Sequence, residues 1–173
     1  MILTGKAIAD CVSTGEIRIS PFDHNLINPN SYDLRLGDRL LIYVNDILDP
    51  RQDNKAREII IPREGYVLKG RHFYLGHSAE EIGSDHYVPM LHCKSGIARL
   101  GLFIHVTADL IDIGSHGNLT LQLHPTLDIR VYPHMRIGQV SFWRPQGNIR
   151  LYTGKYQGSR GPLTSKSYLD SQL

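Results

Sequence analysis

Cysteine is nearly absent from this chain of 173 residues: Cys11 and Cys93 are the only two, and they stand far apart. No disulfide framework can be built from them, and two reduced thiols suit a cytoplasmic chain. Long apolar runs are missing as well, so nothing reaches the ~18 residues of a membrane span. The N-terminus carries only three apolar residues before Thr4, with no basic flank and no small-residue cleavage site, so no signal peptide is expected. Charge of one sign is also scarce. Nineteen Lys and Arg stand against seventeen Asp and Glu, a net of +2 spread along the chain, which leaves no footprint for nucleic acid but leaves room for a small anionic ligand. No nucleophile elbow, P-loop or dinucleotide fingerprint occurs. His92, His105, His116 and His124 lie 13, 11 and 8 residues apart, without the close pairing of a zinc site, and no paired cysteines accompany them.

What is present is enough for one folded domain spanning residues 1–173, with 41% hydrophobic and 21% charged residues. Thr4 or Gly5 caps an expected helix running to about Glu16, with Ile8, Ala9 and Val12 as its apolar stripe. After it come short β-branched and aromatic runs bounded by Gly, Pro, Asn or Asp: RLLIYV, EIIIP, HFYLG, YVPML, LGLFIHVTA, NLTLQL, DIRVYP and IGQVSFW. Such spacing predicts an antiparallel all-β sandwich or barrel. Residues 49–58, DPRQDNKARE, read as a solvated surface loop. The tail from Tyr152 onward mixes glycines, cations and three tyrosines. Two readings stay open for it, a frayed terminus or a flexible lid over residues 152–173.

Two segments carry candidate chemistry. In CKSGIARLG, residues 93–101, Lys94, Ser95, Gly96 and Arg99 offer two cations, a hydroxyl and close backbone approach, which suits a polyphosphate; a simple turn between strands is the other reading. In HVTADLIDIGSHG, residues 105–117, Asp109 and Asp112 follow an apolar run. A carboxylate there can orient a water or take a sugar hydroxyl, or it can cap a turn.

Five ordered motifs then match a known family: MILTGKAI, PNSYDLRLG at 29–37, KSGIARLGLFIHVTADLID at 94–112, YPHMRIGQVSF at 132–142, and KYQGSRGP followed by SKSYLD. On these the sequence resembles the dCTP deaminases, which share an all-β superfamily with the dUTPases. The resemblance implies a distorted β-barrel or jelly-roll-like fold of the dUTPase β-clip type with a short N-terminal helix. It also implies a homotrimer with active sites between subunits. The implied ligand is dCTP, dUTP or a related pyrimidine deoxynucleotide, Mg²⁺ arrives with the triphosphate, no zinc is used, and neither nucleic acid nor membrane is a partner.

The same resemblance assigns roles. Lys94, Ser95 and Arg99 match triphosphate-binding positions, with Gly96 between them. Gln139, Tyr152 and Lys155 match positions that hold phosphate or sugar. Ala108 lies in the base-reading hairpin, Asp112 matches the ribose contact that also positions water in dUTPases, and Thr120, Leu121 and Gln122 form the strand beside the pyrimidine. Catalysis is expected at Asp112, Ser95 and the position of Gln122.

Gln122 departs from the family, whose members place a glutamate there to move protons during deamination. A carboxamide cannot take that role, and loss of a general acid–base group costs roughly 10²–10⁴ in rate. Asp109 and His124 are the neighbours that could replace it. Three smaller departures, Asp109, Leu110 and Ser159, touch the base hairpin and the tail. The expectation is dCTP converted to dUTP and ammonia. The alternatives are dUTP cleaved to dUMP and diphosphate by way of Asp112, and a silent nucleotide-binding regulator or a Glu→Gln trapped variant.

Overall fold

The computed structural model describes residues 1–170; residues 171–173, the end of the expected lid, lie outside the described residues. The chain opens with α1 (Gly5–Thr14), where the Thr4 hydroxyl accepts from the Ala7 N–H. Gly15, at φ 81°, ends it by turning its own N–H onto Val12 O, so the helix stops short of Glu16. Ile8 and Cys11 are its buried side chains, so Cys11 supplies the inward contact expected of Ala9.

Eleven strands complete the fold: β1 (Arg18–Ser20), β2 (Tyr32–Arg35), β3 (Arg39–Tyr43), β4 (Ala56–Ile60), β5 (Tyr66–Leu68), β6 (Tyr74–Gly83), β7 (Val88–Cys93), β8 (Leu102–Phe103), β9 (His116–Pro125), β10 (Ile129–Val131) and β11 (Arg136–Trp143). One turn of helix, α2 (Ser95–Ala98), interrupts them. Six strands form one sheet in the order β4-β3-β6-β9-β8, with β1 also on β6. A second sheet is β2-β11-β7, and β5 pairs with β10. All pairings between these strands are antiparallel, and the bridge from Gly117 of β9 to Ser159 of the tail is parallel. One core serves both sheets: Leu34, Val140 and Phe142 from the smaller join Leu40, Ile82 and Leu121 from the larger. This is the all-β architecture with a short N-terminal helix that the strand spacing predicts.

Three strands escape the sequence pattern. β1 and β5 have three residues each and β2 has four, too short for an alternation to register. The opposite happens at LGLFIHVTA, where only Leu102 and Phe103 pair as strand. The chain then leaves the sheet, with Ile104 sunk into the core. The polar 49–58 segment ends inside β4, which pairs with β3 from Tyr43 opposite Ala56.

A bulge in β6 sets the position of its neighbour β9. Register shifts between His77 and Glu81, and Ser78 and Glu80 within the bulge are buried and polar. Ser78 Oγ donates to Glu80 O at 2.6 Å and accepts from Leu119 N at 2.8 Å. Asn118 Nδ2 reaches Ser78 O and Glu80 O, while the fully buried Glu80 carboxylate takes Arg35 Nε at 2.6 Å and Arg35 N at 3.0 Å. The polar groups of Ser78 and Glu80 are thereby partnered, as burial demands. The stitching fixes where β9 presents residues 118–122.

Candidate functional site

Along β9 the side chains alternate: Leu121 and Leu123 face the core, and Thr120 and Gln122 face away. Thr120 and Gln122, with Ala108, Asp112 and Tyr152, line a cleft of about 630 Å³. Leu121 does not. Its side chain is fully buried, so of the three β9 residues expected beside a ligand only the backbone of Leu121 can take part.

The loop after β8 forms one wall of the cleft. It is tied to β7 by Leu91 N–H to Asp109 O at 2.9 Å and Ile111 N–H to Pro89 O at 3.2 Å. Asp112, held in a turn by Ser115 N–H to its backbone O, exposes its carboxylate into the cleft and is the one carboxylate among the lining residues. Asp109 is not among them. Its charge acts on His92, which burial first and the His105 charge second hold below the usual histidine range, against the Asp109 charge. His124 also lies outside, its ring 6.5 Å from Phe103. Neither lines the cleft beside Gln122.

Gln122 is anchored twice. Its N–H donates to Ile104 O at 2.8 Å, and its Oε1 accepts from Val106 N at 3.4 Å. A carboxamide in that place can hold a ligand by hydrogen bonds but has no proton to exchange near neutral pH.

The tail forms the other wall. Asn118 N–H donates to Ser159 O at 2.9 Å, Gly161 N–H to Asn118 Oδ1 at 2.9 Å, and Leu163 N–H to Thr120 Oγ1 at 3.2 Å, which lays the segment along β9. Gly117 allows the close approach: at φ 142° it sits so near Ser159 that a Cβ would come within 2.6 Å of Ser159 O. Gln157 Nε2 donates to Gly114 O at 2.7 Å. Lys155 does not reach the cleft. Its ammonium pairs with Asp170 and sits 5.7 Å from the Tyr156 ring, which Lys166 also approaches at 5.7 Å.

The remaining predicted residues gather elsewhere, around a carboxylate that sequence reasoning passed over. Asp33 on β2 is 1% exposed. Its Oδ1 accepts from Asn28 Nδ2 at 2.8 Å and Gln139 Nε2 at 3.0 Å, its Oδ2 from Lys94 Nζ at 2.7 Å, and Arg136 lies 3.5 Å away. Burial, the largest single influence, pushes its pKa up; the hydrogen bonds from Lys94, Gln139 and Asn28 together with the Lys94 charge outweigh it and hold the carboxyl below the usual range. Gln139 is placed by register, opposite Asp33 on one side and His92 on the other. Lys94 opens α2, and Ser95, Gly96 and Arg99 are exposed beside it, Arg99 Nη1 donating to Ser95 O at 3.1 Å. The signal available in the sequence was an aspartate between the apolar neighbours Tyr32 and Leu34, a polar group that burial obliges to find partners.

The chain thus holds two separate parts, a cation-bearing cluster and a cleft whose lining contains no lysine or arginine. Among the described residues no group of three or more His, Cys, Asp or Glu could hold a metal, and no helix is long and apolar enough to cross a membrane.

Comparison with known proteins bears on this arrangement. The model of a family described as dCTP deaminase-like matches residues 2–145. A protein of Hathewaya histolytica named "dCTP deaminase, dUMP-forming" is 43% identical over 98% of this chain and 99% of its own length. Proteins of the same name from Clostridium acetobutylicum and Leptospira biflexa are 44% and 42% identical, each over 98% of both chains. The crystal structure of 2'-deoxycytidine 5'-triphosphate deaminase from Agrobacterium tumefaciens shares the fold, with a TM-score of 0.65 at 23% identity, over 82% of this chain and 47% of that one.

Proposed function

This chain belongs to the dCTP deaminase-like family, and from that premise we propose that it forms dUMP from a pyrimidine deoxynucleoside triphosphate. Its principal reaction is dUTP plus water to dUMP plus diphosphate. The water oxygen attacks the α-phosphorus, the α–β phosphate bond breaks, and Asp112 orients the water and takes its proton. Deamination of dCTP is the slow reaction of this chain. One observation carries the reading: Asp112 and Gln122 line the same cleft, so it keeps the carboxylate needed for water and has an amide where proton exchange with a base is needed. The relatives' name supports dUMP, rather than the dUTP first expected, as the final product.

The cleft is short of positive charge for a triphosphate, whereas Lys94 and Arg99 sit on another part of the chain. That division supports a homotrimer in which the cations of one subunit, with Ser95, Gly96 and Gln139, complete the cleft of the next. Asp112 as the sole lining carboxylate fits Mg²⁺ that arrives on the phosphates and neutralises their charge, rather than an ion resident in the protein. The tail, with Tyr152, closes over the nucleotide, and Lys155 holds the end of the tail through Asp170.

Chromatography of products from dUTP and from dCTP in Mg²⁺, for the natural chain and Gln122→Glu, tests the reaction. Gln122→Glu is expected to raise deamination by at least ~10², the lower end of what an acid–base group supplies. No gain would remove the proton-exchange explanation. Turnover by mixed subunits carrying Asp112→Asn or Arg99→Ala, each inactive alone, tests the shared site; no recovered activity overturns it.

A further inference from the structure

The loop between β3 and β4 looks in the sequence like solvated surface, yet its interior is closed by a buried polar side chain. Asn54 is 7% exposed. Its Oδ1 accepts from Asp49 N at 3.0 Å, and its Nδ2 donates to Asp49 O at 2.8 Å and Gln52 O at 3.0 Å. Asp49 Oδ1 takes Arg51 N at 2.9 Å, and the base of the loop is shut by Val44 N–H to Lys55 O and Lys55 N–H to Asn45 Oδ1. Residues 44–55 are therefore a built structure, and long loops of that kind tend to serve function.

Two features turn this loop toward the cleft. Leu48 lines it, as does Tyr43 at the end of β3. The C-terminal tail is fastened to the same segment: Ser165 N–H donates to Tyr43 OH at 2.8 Å, and Ser167 Oγ donates to Pro50 O at 3.0 Å. The two serines support each other, Ser165 Oγ lying 2.9 Å from Ser167 Oγ and accepting from Ser167 N at 3.3 Å. Pro50 O faces the tail because the turn around it is held by Asn54. Asp170, paired with Lys155, and the bond from Lys166 N to Tyr156 OH hold the same stretch of tail from its other side.

We propose that residues 43–55 are a catch, shaped in advance by Asn54, which holds the tail closed through Pro50 O and Tyr43 OH and so sets how long a nucleotide stays in the cleft. Asn54 is here a positioning residue, acting through the loop and tail. The role in retention rests on the proposed nucleotide function; the fastening of the tail does not.

The experiment uses the full-length chain with Asn54→Ala and, as a variant that leaves the loop untouched, Ser167→Ala. Trypsin cleavage after Arg160 and Lys166 reports the open tail without any nucleotide. Dissociation of 2'-deoxyuridine 5'-(α,β-imido)triphosphate reports retention. Ser167→Ala is expected to speed cleavage and dissociation by about 3–10-fold, the size of the one bond lost to Pro50 O, with its thermal midpoint unchanged, and Asn54→Ala, which loses three bonds in the loop, by at least as much. Unchanged cleavage in Ser167→Ala overturns the catch. Faster cleavage with unchanged dissociation overturns its role in retention while leaving the nucleotide reading intact. Failure of the natural chain to bind the analogue overturns both the nucleotide reading and the retention role, and cleavage still decides the fastening.

Discussion

Around Asp33 almost every polar atom has a partner inside the chain, whereas in the cleft Asp112 exposes its carboxylate and Gln122 uses only its oxygen. Both regions are polar, but they differ in what their groups are free to do. A carboxylate sealed by three donors and held below its usual pKa stabilises the fold and fixes Lys94 and Gln139. A carboxylate left open at a cleft wall can work on a water. In the proposed reading the sealed carboxylate is structural, holding Lys94 and Gln139 in place for the cleft of the next subunit, and the open one acts on water.

Substitutions should separate the two regions. The largest effect is expected from Asp112→Asn, which should cut dUMP formation by ~10²–10⁴ while leaving the thermal midpoint in place; a loss of stability as large as the loss of rate would break the contrast. Asp33→Ala should show first in stability, costing about 3 kcal/mol in chemical denaturation, the lower end for breaking a buried pair because Lys94 can regain water. Acid should expose the same group. Since the folded pKa of Asp33 is depressed, its contribution is complete above the unfolded value of about 4 and disappears as pH falls through the folded one. Asp33→Asn should therefore show a flatter loss of stability below about pH 4.

A smaller effect is expected at Asn118, whose side chain joins the β6 bulge to the tail through Ser78 O, Glu80 O and Gly161 N. Asn118→Ala should cost about 1–3 kcal/mol and also speed trypsin cleavage of the tail, because it links the sealed interior to the cleft wall. The smallest effect falls on His77, whose pKa burial pushes down. Its neutral form is the folded one, so the unfolded chain takes up the proton first and stability declines as pH drops below about 6.5. His77→Gln should remove only that shallow slope below about pH 6.5 in thermal melts.

Much of this molecule could be read before its structure. The Thr4 cap and the long strands β9 and β11 follow from turn residues and alternation, the start of β6 is marked by HFYLG while its run past Gly76 is not, and the grouping of Ala108, Asp112, Thr120 and Gln122 follows from the family resemblance. Hidden from that reading were features that depend on the whole chain. Strands of three or four residues have too few side chains to declare a face. Asp33 owes its importance to partners 61 and 106 residues away, Lys94 and Gln139. Asn54 looks like any loop asparagine until its three bonds are seen. The resemblance assigns Lys94 and Asp112 to one ligand at a site between subunits, and within a single chain they lie apart.

The most direct test of the central claim is the product ratio from the purified natural chain, resolved by chromatography after separate incubation with dUTP and dCTP in Mg²⁺. The account predicts dUMP and diphosphate in equal amounts from dUTP, and turnover of dCTP slower by at least ~10². Rapid release of ammonia from dCTP, or no product from dUTP, would contradict it.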